Sequence, residues 1–183
     1  MDWNSFTSIL VGGSLTLGGS WFMFRIQRRS SFYETQLKEL YGPIRTLLWK
    51  IQAETQQRNR ILEAGGKAWN NVVNAQVDRL PREQPNFEPY KKMLEDQNDR
   101  YEEVIRPLYR QIETILVEKS WLVTEETKNF FLKLYQYNNG QDLILQKRIP
   151  GEVYQDIEIK EEELQPFYDH IICTVEILQK KIR

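Results

Sequence analysis

This sequence predicts an all-α protein: a single N-terminal transmembrane helix followed by an antiparallel bundle of four to five helices. Three observations carry that expectation. The stretch Phe6 to Phe24, FTSILVGGSLTLGGSWFMF, holds nineteen residues without a charge. Arg25, Arg28 and Arg29 follow it at once. Three later segments repeat apolar residues at alternating spacings of four and three, the pattern of helices packed at shallow angles. The expected division is 1–30 for anchor and basic stop, and 31–183 for the bundle.

Nineteen helical residues rise about 28 Å, close to the hydrocarbon thickness of a bilayer. Only Asp2 precedes the run, while three arginines follow it. The positive-inside rule then sets the N-terminus outside and the C-terminus in the cytoplasm, at the inner membrane. Trp3 and Trp21 stand where interfacial aromatics would sit, with Arg25, Arg28 and Arg29 at the headgroups. A cleavable signal peptide would reverse this charge order and end in small residues, not Trp21-Phe22-Met23-Phe24. A buried core helix is the remaining alternative. Within the run, Ser8, Gly12, Thr16, Gly19 and Ser20 share one face, and small residues let helices approach closely in lipid. Thr7, Ser14 and Gly18 form a second, smaller patch.

Behind the run, Ser31 to Glu34 reads as a capping box. It would start a helix just inside the membrane, unless the span continues unbroken. Tyr33, Leu37, Leu40, Ile44, Leu47 and Ile51 form the first seam. Gly42-Pro43 interrupts it, so a kink is expected near Tyr41. Gly65-Gly66 should end this helix, and Lys67–Leu80 should form a shorter one bearing Trp69, Val72 and Val73. Pro81, Pro85 and Pro89 mark the longest loop, with Asn86 as N-cap of a helix over 87–119. That helix carries the seam Tyr90, Leu94, Gln97, Tyr101, Val104, Leu108, Ile112, Ile115. Thr124 caps a fourth segment with Phe130, Phe131, Leu134 and Tyr135 inward. Asn138-Asn139-Gly140 should end it, as a helix stop or as a hairpin turn. A short helix over 141–148 and an irregular stretch follow, in which Ile157 and Ile159 alternate like a short strand. The last helix has Glu161–Glu163 at its start, Lys180, Lys181 and Arg183 at its end, and the seam Leu164, Tyr168, Ile171, Val175, Leu178, Ile182. Three X-Pro steps echo one another, at Gly42-Pro43, Arg106-Pro107 and Gln165-Pro166.

The sequence Leu40-Tyr41-Gly42-Pro43-Ile44, after a short span and a basic stop, resembles a group of small single-span bacterial membrane proteins of unassigned function. The likeness covers residues 1 to about 50. It implies a bacterial inner-membrane protein whose domain acts by contact, and it implies no activity.

Charge excludes one broad class. Outside Asp2 and the three arginines the chain holds 22 basic and 25 acidic residues. That balance leaves no footprint for nucleic acid. One cysteine, Cys173, permits no internal disulfide and no cysteine zinc site, and suits a reducing compartment. No phosphate loop, dinucleotide fingerprint or nucleophile elbow occurs. His170 and Cys173, one helical turn apart, are the single hint of nucleophilic chemistry, but their place beside the seam reads as core packing. Trp49, Trp69 and Trp121 read first as core and second as binding residues. No catalytic, cofactor-binding or metal residue is assigned, and no cofactor is expected. The expected partners are membrane lipids and either further copies of the chain or another membrane protein. The function expected is a non-enzymatic scaffold. The alternatives are an oligomerising membrane effector or sensor, as in bacterial defence, and a small subunit of a larger membrane complex.

Overall fold

The computed structural model describes residues 24–25, 27–77, 85–146, 148, 150, 153 and 160–183. Every element among them is helical. Four rods result. The first joins α1 (27–36), a π-helical turn at Leu37–Tyr41 and α2 (Gly42–Val77). The second joins α3 (Glu88–Arg100), a second π turn at Tyr101–Ile105 and α4 (Arg106–Glu118). A 3₁₀ turn at Ser120–Leu122 leads to the third rod, α5 (Glu125–Leu145). The fourth is a 3₁₀ turn at Glu161–Leu164 running into α6 (Gln165–Ile182).

The rods alternate in direction and close a ring: α2 on α4, α4 on α5, α5 on α6, and α6 back on α2. Cross-contacts show the directions. Lys119 reaches Glu39 while Arg100 reaches Glu54, so the first two rods are antiparallel. Thr127 meets His170 and Phe130 meets Phe167, which makes α5 antiparallel to α6. Lys181 lies on Tyr33 while Thr55 bonds Glu161, which closes the ring in the same sense. Leu40, Ile44, Ile51, Ile105, Ile112, Leu134, Leu164, Ile171 and Val175 are wholly enclosed between the rods. Each such side chain contributes about 1.5–3 kcal/mol by leaving water. Past Thr55, α2 runs on with α3 as a helical pair. Met93 lies against Gly65 there, and Trp69 packs edge-on against Phe87 and Tyr90.

The expected kink at Tyr41 is a π turn. Pro43 has no N–H to give and its ring crowds the carbonyl four residues back. The ladder accommodates this by widening: the Gly42 N–H bonds Leu37 O, five residues earlier. Arg106 N–H bonds Tyr101 O in the same way just before Pro107. At the third X-Pro step a 3₁₀ turn stands in place of the π turn. The echo in sequence is thus a recurring device for starting the straight part of a rod.

The second π turn corrects the second seam. An extra residue in the turn moves the buried face on by one. Tyr101 is followed inward by Ile105, Tyr109, Ile112 and Leu116, while Val104 is exposed; Leu94, which precedes the turn, is exposed as well. The first and last seams stand: Leu40, Ile44, Leu47 and Ile51, and Leu164, Tyr168, Ile171, Val175 and Leu178, are buried.

Two expected helix ends are corrected. Helix α2 passes through Gly65-Gly66, because Glu63 and Lys67 pair across the glycines and Trp69 is pinned by α3. Helix α5 passes through Asn138-Asn139-Gly140, because Asn138 is buried and its amide donates to Glu113 of α4 at 2.8 Å. Tertiary bonds there outweigh poor intrinsic propensity. At the N-terminal side, of the two readings of Ser31 to Glu34 the unbroken helix holds over the described residues: α1 runs through Ser31, whose carbonyl accepts the Thr35 hydroxyl at 2.9 Å. The cap at Thr124 does form, accepting from Thr127 N–H at 3.3 Å, whereas the N-cap of α3 is Phe87 and Asn86, one residue earlier, accepts from Glu88 N–H at 3.1 Å.

The run Phe6–Phe24, except Phe24, lies outside the described residues, as do Ile157 and Ile159. Among the described residues no helix is long and apolar enough to cross a membrane.

Candidate functional site

Of the residues singled out in the sequence, Ser8, Gly12, Thr16, Gly19, Ser20, Trp3 and Trp21 lie outside the described residues. Arg25, Arg28 and Arg29 are described, and all three are exposed. Their spacing sets them on one side of the helix. The Arg28 guanidinium lies 5.1 Å from the Phe24 ring centroid, and Phe24 is itself more than half exposed. From the far end of the chain, the Lys181 ammonium comes within 4.9 Å of the Tyr33 ring centroid. One end of the bundle therefore gathers exposed cations and exposed aromatics.

A second polar centre lies inside. Tyr109 of α4 donates to Glu161 Oε1 at 2.8 Å and its hydroxyl also meets that of Tyr168. Thr55 of α2 donates to the same carboxylate oxygen at 3.2 Å. Tyr101 and Tyr137 share a hydroxyl bond of 2.7 Å, and the Tyr137 ring stacks obliquely on Tyr109 at 5.1 Å. Burial, with the Glu161 charge acting in the same direction, pushes all four phenols above their usual range. They stay protonated and serve as donors. An open pocket of about 270 Å³ lies beside this cluster, lined by Gln52, Gln56, Asn59, Glu162 and Gln165 besides Thr55, Glu161 and Tyr168. Four rods supply these groups, so the cluster ties the bundle at its middle. Its phenols are poor bases and the Glu161 Oε1 already accepts from both Tyr109 and Thr55, which suits cohesion better than proton transfer.

The histidine has a comparable role. His170 Nε2 and Thr127 Oγ1 are 2.8 Å apart, and Thr127 bonds Tyr41 Oη at 3.0 Å. Glu126 stands 3.6 Å from Nδ1. Burial holds the imidazole below its ordinary value, with Glu126 opposing in part. Both ring nitrogens thus face partners other than Cys173. Cys173 is exposed, which corrects its expected place in the core. Trp49 and Trp121 are likewise exposed, Trp49 beneath the Arg45 guanidinium at 4.7 Å, and Trp69 is half-buried among aromatics.

A third network joins α4 to α5. Arg106 and Arg110 both bond Asp142, Arg110 also bonds Glu113 at 2.8 Å, and Asn138 completes the set.

Sequence reasoning missed Tyr109, Tyr137 and Glu161 as a cluster. The available signal was chemical: a phenol entering a core needs a partner for its hydroxyl. Comparison with family models, with curated proteins and with solved structures finds no match to this chain.

Proposed function

We propose that this chain is a membrane-anchored, non-enzymatic scaffold or interaction protein that self-associates through its transmembrane helix. The observation that carries it is the nineteen-residue uncharged run ending at Phe24, met at once by exposed Arg25, Arg28 and Arg29 on a helix. The N-terminus lies outside and the bundle in the cytoplasm, at the inner membrane of a bacterium. The interior polar groups support a non-enzymatic reading, since Tyr109, Glu161, Tyr168, Thr127 and His170 are engaged in bonds between rods. Ser8, Gly12, Thr16, Gly19 and Ser20 provide the association face. A paired substitution, Gly12→Leu with Gly19→Leu, is expected to dissociate the detergent-solubilised oligomer while the helical spectrum of the bundle is retained. An oligomer of unchanged size in that variant overturns the reading.

A second reading, an oligomerising membrane effector triggered through its cytoplasmic domain, has one specific observation in its favour. Thr7, Ser14 and Gly18 offer a second small-residue face, and a closed ring needs two. Depolarisation of cells on expression, abolished by Gly12→Leu, separates it from a harmless scaffold.

A further inference from the structure

We infer that the C-terminal turn of α6, through Lys180, Lys181 and Arg183, is a second contact with anionic lipid headgroups and holds the bundle against the bilayer. The inference rests on the membrane-anchor reading. In sequence these residues are explained by the helix dipole, more than 150 positions from the arginines of the stop. In the fold they share one end of the bundle with them. Lys181 lies on Tyr33, four residues beyond Arg29, or about 6 Å along the helix. The headgroup layer is about 5–8 Å deep on each side of the hydrocarbon. With Arg29 in that layer, Lys181 stands within the screening length of roughly 8 Å at physiological salt.

Charge is segregated to match. Residues 24–33 and 177–183 carry six basic residues and no acid, against 19 basic and 26 acidic residues elsewhere. The nearest acids on the first rod, Glu34 and Glu39, are paired with Lys38 and Lys119, and Glu176 lies further along α6. Lys180, Lys181 and Arg183 are all exposed. The chemistry that fits this surface is a layer of lipid phosphates, because the same end carries exposed Phe24 and Phe32 between the cations.

The test places a fluorophore on the full chain at Gln179→Cys, with Cys173→Ser, in nanodiscs of phosphatidylcholine alone or mixed with phosphatidylglycerol. Energy transfer to a headgroup-labelled lipid is expected to be stronger in the mixed discs and to fall with added salt, and in K180Q/K181Q/R183Q to be weaker and to lose both dependences. Equal transfer in both lipids, or a triple variant that behaves as the parent, overturns the inference. The anchor reading is checked apart, by flotation with phosphatidylcholine vesicles after an alkaline wash, where parent and triple variant should both stay bound. If neither floats, the anchor reading fails. Partition onto mixed vesicles then tests the inference instead: about fivefold per cation, or roughly 100-fold for the triple variant, is expected to be lost. An unchanged partition overturns it.

Discussion

Gly42 and Gly66 occupy the same rod under opposite constraints. A Cβ on Gly42 would stand 2.6 Å from the Leu37 carbonyl oxygen, a backbone atom that cannot swing aside. A Cβ on Gly66 would meet nothing within 4 Å. Gly42→Ala is expected to cost about 1–3 kcal/mol, a drop of several degrees in thermal midpoint, through distortion of the π turn. Gly66→Ala should raise stability by up to about 1 kcal/mol, since alanine loses less backbone entropy in a helix. Equal effects in thermal melts would contradict the geometry. Arg106 occupies the corresponding place in the second π turn, so the requirement belongs to the close approach at Leu37 and not to π turns in general. His170 carries a pH prediction. Its folded value lies below the usual 6.5, so the unfolded chain binds the proton more readily. The stabilisation is therefore full above about pH 6.5 and is lost as pH falls through the lower folded value. Urea midpoints should decline from pH 7 to 5 in the parent and decline less in His170→Gln. A parallel decline in both would assign the effect to other groups.

At the level of elements, the α4–α5 contact depends on Asp142. Arg106 and Arg110 each donate to it, and their side chains are only 27% and 35% exposed. Asp142→Ala leaves Arg106 with an unpaired charge at a half-buried position, and should cost about 1–3 kcal/mol. Glu63→Ala, which breaks the exposed pair with Lys67, should cost under about 0.5 kcal/mol and serves as the comparison in the same melts. Most of the bundle was legible in the sequence because period and caps are local. The seams through Ile44 and Ile171, the cap at Thr124, and the break in the regular ladder at Tyr41 all follow from residues within a turn or two. What was not legible depends on partners distant in sequence. Gly65-Gly66 and Asn138-Asn139-Gly140 read as stops until Met93, Trp69 and Glu113 are brought beside them. The shift from Val104 to Ile105 follows from the hydrogen-bonding pattern of a single turn, which no side-chain spacing announces. Of the candidate site, the arginines were readable from charge order alone, whereas the Tyr109–Glu161–Tyr168 cluster required the fold.

For the whole molecule, polar groups are layered along the bundle axis. Exposed cations mark one end, the Tyr41–Thr127–His170 chain lies above them, and the tyrosine–glutamate cluster lies further along. A bundle tied at several levels in this way should unfold as one unit, without early loss of a single rod. The π turn at Leu37–Tyr41 has a further consequence for any assembly built through the run at Phe6–Phe24. One surplus residue in a helix turns everything beyond it by about 100° in azimuth. The bundle therefore does not face the direction that a straight extension of the rod would give it. Copies joined below the turn would present to one another a flank selected by that single residue. The orientation of neighbouring domains in such an assembly is thus written into five residues of one helix.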